Sequence, residues 1–192
     1  VLGAGCIRIG SSVEFDYCTM NTAWAMKEEG IDEVIVVNNN PETVSTDYDI
    51  SDKLYFEELT LERILDICDK EKPMGVIVSV GGQIPNNLAL KLAQAGVKIL
   101  GTSSKSIDLA EDRSKFSALL DKLDVPQPKW SKLTTIKEAE NFAEEIGYPV
   151  LIRPSYVLSG YAMRVAHSQK ELRDYLELAA SVSPEYPVVI SK

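Results

Sequence analysis

Two arginines carry the sharpest chemical signal in this sequence. Arg113 lies in Ala110-Glu-Asp-Arg-Ser-Lys115, and Arg153 leads into Pro154-Ser-Tyr-Val-Leu-Ser159-Gly160. A guanidinium at a strand end, followed by a hydroxyl-bearing loop that closes on glycine, suits a polyphosphate. Arginine grips phosphate oxygens bidentately, and loop N–H groups and serine hydroxyls add donors. The competing reading is that each arginine pairs with one of the chain's many carboxylates. His167 reads as a solvated residue before a helix cap, with no nucleophile nearby for it to activate. Glu111, Asp112, Glu57 and Glu58 read as solvated acids.

Glycine-rich turns offer weaker signals. Gly3-Ala-Gly5-Cys-Ile-Arg8-Ile-Gly10 invites a dinucleotide site, but the spacing fails. Arg8 occupies the third glycine position, and Asn38 stands where the ribose-binding acid belongs. A structural turn is the better reading. The polar stretch Asn38-Asn-Asn-Pro-Glu-Thr-Val-Ser-Thr-Asp-Tyr-Asp49 follows a strand, where open α/β sheets place ligands. It reads equally as an Asx/Pro loop that caps itself. Gly81-Gly-Gln-Ile-Pro-Asn-Asn87 allows close backbone approach, with Asn86 or Asn87 as a cap for the helix that follows.

The elements that must carry these residues alternate between short apolar runs and amphipathic stretches. Glu33–Asn38, Gly75–Ser79 and Val97–Leu100 read as buried parallel strands, and Lys53–Phe56 as an edge strand. Helices are predicted over Val13–Glu29 (Cys18, Thr22 and Met26 in register), Leu61–Lys70 and Leu88–Ala95. Such alternation implies right-handed crossovers and an α/β, Rossmann-like layer. From Ser106 the character changes. Helices near Ser106–Glu111 and Arg113–Leu123 precede an extended Val125-Pro-Gln-Pro-Lys129 connector. Then come a strand at Trp130–Leu133, a capped helix at Thr135–Ile146, and strands at Val150–Arg153 and Ala162–Ala166. A helix from Ser168 to about Ala179 and a strand at Val188–Lys192 complete the pattern. Thr135/Glu138 has capping-box spacing, and Gly147 sits where a helix-ending glycine belongs. The expected division is 1–112 and 113–192.

Composition bounds the function. The 192 residues are 45% hydrophobic and 26% charged, which is globular composition. With 20 basic and 29 acidic residues the net charge is -9. Such a surface argues against nucleic-acid or anionic-membrane partners. No apolar run approaches the roughly 20 residues of a membrane span, and no secretory signal is visible. Three cysteines and one histidine lack metal or redox spacing. Reduced thiols and a cytoplasmic location follow as expectations, although a mitochondrial matrix would look the same.

Taken in order along the chain, several stretches resemble one family. They are Arg8-Ile-Gly-Ser-Ser-Val-Glu-Phe-Asp16, Asn40-Pro-Glu-Thr-Val-Ser-Thr-Asp-Tyr-Asp49 and Leu54-Tyr-Phe-Glu-Glu-Leu59. Val80-Gly-Gly-Gln-Ile-Pro-Asn-Asn87, Ala110-Glu-Asp-Arg113 and Arg153-Pro-Ser-Tyr-Val-Leu-Ser-Gly160 continue the series. Jointly they resemble the large chain of carbamoyl-phosphate synthase, and look like its second, carbamate-phosphorylating half. Another ATP-grasp carboxylase, such as biotin carboxylase, shares the architecture but not Asn40–Thr46. A binding or interaction module is the alternative outside enzymes.

The resemblance implies a Rossmann-like pre-ATP-grasp domain with a parallel sheet, followed by the first part of an ATP-grasp domain. It implies a ligase using bicarbonate, ammonia (often from glutamine through a glutaminase subunit or domain) and two MgATP. The pathways it implies are arginine or pyrimidine biosynthesis. By position, Arg113 and Arg153 would contact ATP phosphates, the Ser159-Gly160 loop end would cover them, and Lys192 would lie near the adenine pocket. The family often has Gly-Gly where Ser159-Gly160 stands. The magnesium ligands belong to segments beyond Lys192. The 192 residues alone are expected to make no carbamoyl phosphate and to bind ATP feebly at most.

Overall fold

The computed structural model describes residues 1–8, 11–133, 135–157, 160–182 and 188–192. It divides into two compact units, Val1–Asp108 and Leu109–Lys192.

In the first unit, α1 (Val13–Glu28) leads to β1 (Ile35–Val37) and a single 3₁₀ turn at Val44–Thr46. Then follow β2 (Lys53–Tyr55), α2 (Leu61–Glu71), β3 (Val76–Ile77), α3 (Gln83–Gln94) and β4 (Ile99–Leu100). β1 pairs with β2, and β3 with β4, both in parallel. The opening segment joins these pairs. Gly3 N–H donates to Val37 O at 2.8 Å, and Leu2 N–H donates to Ile77 O at 3.0 Å. Counting Val1–Gly3 as the first strand, the spatial order is 3-2-1-4-5, that of a doubly wound sheet.

Side-chain alternation builds a core on each face. Val34 and Val36 pack with Ala23 of α1 on one side. Leu2, Val37 and Val76 pack with Ile64, Ile67 and Leu92 of α2 and α3 on the other. The strands are short, and burial is deepest in β1 and β3, while β2 and β4 at the sheet edges are only partly covered.

Two helices differ from their expected form. In α1 the buried face is Asp16, Thr19 and Ala23, while Cys18 is exposed. Asp16 turns inward because its carboxylate accepts Val44 N–H at 2.8 Å and Ser45 N–H at 3.1 Å. Helix α3 begins at Gln83, before Asn86 and Asn87, with Gly82 as its N-cap. Pro85 is tolerated there because a first-turn residue needs no intrahelical donor.

α4 (Ser104–Glu111) contributes Ile107 to the first core, and the division between units falls within it. The second unit continues with α5 (Arg113–Lys122), β5 (Trp130–Leu133), α6 (Ile136–Ile146) and β6 (Val150–Arg153). It ends with β7 (Arg164–Ala166), α7 (Gln169–Val182) and β8 (Val188–Ser191). This sheet is antiparallel, ordered β5-β8-β6-β7. The parallel arrangement thus belongs to the first unit only.

Helix α6 starts on the Thr135/Glu138 capping box and ends on Gly147, at φ 78°. Its Ala139 and Ala143 pack with Leu172 of α7 over Val150, Ile152, Val188 and Ile190. α5 packs against β5 and β8. Because successive strand residues point to opposite faces, Arg153 projects away from the face that Val150 and Ile152 present to α6 and α7.

Candidate functional site

Arg113 is the first residue of α5, and Arg153 the last of β6. Forward from Arg153 the chain turns at Pro154 and Ser155 and comes back against the α5 N-terminus. Arg113 N–H donates to Ser155 Oγ at 2.9 Å, and Tyr156 N–H donates to Glu111 O at 3.1 Å. Arg113 Nη2 also reaches Val157 O at 3.5 Å. Two residues far apart in sequence are thereby brought to one place.

The two guanidiniums share an environment poor in polar partners. The Nε atoms of both arginines are buried without a hydrogen-bond partner among the described residues. No carboxylate of the described residues forms an ion pair with either. Burial, and after it the Arg113 charge, push the pKa of Arg153 below the usual guanidinium value. Half-buried like charges without an acid beside them are costly, and an anion would offset that cost. Among the described residues the ion-pair reading finds no acid partner for either arginine.

The acid that precedes Arg113 is already engaged. Asp112 is not a solvated carboxylate: it is buried at 3% exposure as the N-cap of α5. Its Oδ1 accepts from Ser114 N–H at 2.9 Å, Lys115 N–H at 3.2 Å and the Ser114 hydroxyl at 2.7 Å. Capping takes this carboxylate away from the guanidinium beside it. Composition could not show that, because it counts Asp112 with the surface acids.

The remaining candidates separate. Gly160 is exposed in the turn after β6, at φ 68°, and the Met163 N–H donates back to Gly160 O at 2.9 Å. Ser159 lies outside the described residues. Lys192 follows β8 at the far end of the β6 pairing from Arg153. Arg153 faces Val189, three residues short of Lys192, or about 10 Å along the strand. The Lys192 ammonium donates to Gly147 O at 2.8 Å and Tyr148 O at 3.4 Å, at the α6 C-terminus. It is not brought to the arginines. Missed in the sequence was Ser155, which is fully buried and holds Arg113; only its place two residues after Arg153 could have drawn notice.

In the first unit the polar loop closes on itself. Asn38 Oδ1 accepts Gly5 N–H at 2.9 Å, and its Nδ2 donates to Ser45 Oγ at 3.0 Å. Asn40 Nδ2 donates to Gly5 O at 3.2 Å. The turn glycines serve packing. A Cβ on Gly81 would lie 2.5 Å from Leu2 O and 2.6 Å from Gly3 O. The three cysteines are free. Among the described residues no group of three His, Cys, Asp or Glu side chains could hold a metal ion, so no metal chemistry is derived from them. No helix among them is long and apolar enough to cross a membrane.

The same fold occurs in solved structures. The biotin carboxylase domain of Hydrogenobacter thermophilus 2-oxoglutarate carboxylase, in complex with MgADP, ADP and bicarbonate, aligns at TM-score 0.70 and 23% identity. That alignment covers 100% of this chain and 43% of the other. N5-carboxyaminoimidazole ribonucleotide synthetase from Thermus thermophilus aligns at 0.62 and 15%, covering 100% and 46%.

Sequence likeness is closer elsewhere. The carbamoyl phosphate synthase large chain of Pyrococcus furiosus is 60% identical over 192 residues, and the arginine-specific mitochondrial large chain of Neurospora crassa 57% over 193. The C-terminal section of the Methanopyrus kandleri large chain is 54% identical over 192. All of this chain is covered, but only 18%, 16% and 35% of those proteins. Residues 1–109 match the model of the carbamoyl phosphate synthase preATP-grasp domain, and residues 112–190 that of the carbamoyl-phosphate synthase L chain, ATP binding domain. Arg113 and Arg153 fall within the ATP-binding match, and the chain belongs to the carbamoyl phosphate synthase large-chain family.

Proposed function

We propose that this chain is part of an ATP-dependent ligase that makes carbamoyl phosphate from bicarbonate, ammonia and two ATP. Within it, Arg113 and Arg153 bind the phosphate chain of one ATP. The carrying observation is their convergence, half-buried, with both Nε atoms lacking a hydrogen-bond partner and no carboxylate partner among the described residues. ATP supplies the phosphoryl group. The two guanidiniums orient its phosphates and neutralise charge on the non-bridging oxygens, which is what phosphoryl transfer asks of a protein. Gly160, in an open turn without a side chain, and Ser159 form the end of the loop that covers the phosphates. Lys192 lines the far side of the nucleotide pocket rather than the phosphate end. Magnesium is held by segments beyond this chain.

The half that phosphorylates carbamate is the better assignment. Asn40–Thr46 and Arg153–Leu158 supply the sequence support, and a relative named as a C-terminal section points the same way. The functional domains are 1–112 and 113–192, the first a scaffold and the second the nucleotide clamp. A glutaminase partner, a role in arginine or pyrimidine synthesis and a cytoplasmic location complete the proposal. Neither nucleic acid nor membrane is a partner of so acidic a chain.

Calorimetric titration of MgATP into the full-length protein tests the clamp. Arg153→Ala removes charge-assisted hydrogen bonds of about 1.5–3 kcal/mol, a loss of roughly ten- to 150-fold in affinity. A folded Arg153→Ala protein with wild-type affinity overturns the assignment.

A further inference from the structure

Two guanidiniums that repel each other do not converge unaided, and the residues that hold them are not themselves arginines. The first-turn donors of α5 are distributed in an orderly way. Asp112 takes the N–H groups of Ser114 and Lys115, and the N–H of Arg113 is left for Ser155 Oγ at 2.9 Å. A second rung lies beside it, from Tyr156 N–H to Glu111 O at 3.1 Å. Tyr156 adopts φ 55°, in the left-handed region that an aromatic residue seldom enters. Such a backbone persists where its surroundings hold it.

We propose that Ser155 is a positioning residue for nucleotide binding: through the Arg113 N–H it ties the start of α5 to the end of β6, so that Arg113 and Arg153 face one polyphosphate. This inference rests on the phosphate-clamp reading above and adds to it the residue that sets the clamp's spacing. Ser155 suits the task because it is completely buried and its hydroxyl oxygen can accept where alanine has nothing to offer. It touches neither phosphate nor reacting atoms in this role. Its effect travels through Arg113.

The test uses full-length protein, with MgATP and inorganic tripolyphosphate titrated separately. Wild type is compared with Arg153→Ala, Ser155→Ala, Arg113→Ala and the Arg113→Ala/Ser155→Ala pair. Ser155→Ala is expected to weaken both ligands by a similar factor, about tenfold for one lost hydrogen bond that holds the clamp. In the Arg113→Ala background that loss should vanish, since Ser155 then has no guanidinium to place. A loss of equal size in both backgrounds overturns the inference, because it marks a general effect on the fold. So does wild-type affinity in Ser155→Ala while Arg153→Ala binds weakly. If Arg153→Ala also binds like wild type, the phosphate-clamp reading itself falls. Should Ser155→Ala fail to fold, Ser155→Thr, which keeps the hydroxyl acceptor, and Ser155→Cys, which weakens it, carry the same comparison between two enlarged side chains.

Discussion

The charge of Arg113 acts on Arg153 across the gap between the start of α5 and the end of β6, and helps to hold the Arg153 pKa below its usual value. Burial contributes more to that shift than the neighbouring charge does. The pair is therefore arranged at some cost to the ligand-free fold. On the phosphate-clamp proposal, a bound anion offsets that cost.

Arg113→Gln relieves the repulsion and should leave the ligand-free thermal midpoint unchanged or higher, while shrinking the increase that MgATP produces. Differential scanning calorimetry with and without nucleotide reads both quantities. A clear fall in the ligand-free midpoint together with an undiminished nucleotide effect would contradict this trade-off.

Asp112→Ala strips α5 of its cap and exposes the donors of Ser114 and Lys115. The expected cost is about 1 kcal/mol, within a range of roughly 0.5–2, and Asp112→Asn should recover most of it. Urea unfolding with an unchanged m-value is the appropriate measurement. Equal stability of the alanine and wild-type proteins would show that the buried carboxylate contributes nothing as a cap.

Gly81→Ala places a methyl group 2.5 Å from Leu2 O and 2.6 Å from Gly3 O, where only backbone can yield. Overpacking of this kind costs about 1–3 kcal/mol or more. Gly96→Ala is the control for the backbone term, because its φ of 89° is unfavourable for alanine but nothing lies within 4 Å of the added carbon. Gly81→Ala should be the more damaging in a denaturation series; the reverse order would refute the close-packing account.

Glu140 pairs with Arg173, and this hydrogen-bonded cation holds the carboxyl below its ordinary 4.5. A depressed carboxyl pKa means that the unfolded chain takes up protons first as pH falls. The stabilisation is thus present above about pH 4.5 and is lost as pH drops through the folded-state value. Glu140→Gln should flatten the acid limb of stability against pH while leaving its shape near neutrality alone. An identical acid limb in the two proteins would exclude a contribution from this pair.

Local chemistry made much of the architecture legible in the sequence alone. Short apolar runs bounded by polar or glycine residues mark strands, the Thr135/Glu138 spacing marks the start of α6, and the limits of Trp130–Leu133 and Val150–Arg153 agree with the structure. These features depend on neighbours a few residues away, so spacing is enough to find them. The inward face of α1 was misread because Asp16, a charged residue, turns in to bind the backbone of a distant turn. Asp112 likewise departs from the surface position its charge suggests, because it caps the backbone of α5. The polar loop from Asn38 allows two equal readings in sequence, and the structure ties it to Gly5 and Asp16 by hydrogen bonds. Residue types alone named Arg113 and Arg153, but whether each met an acid or the other depended on strand register, helix placement and the Ser155 bridge. Those are long-range contacts, whose partners are chosen by the folded chain and leave no local trace in the order of residues.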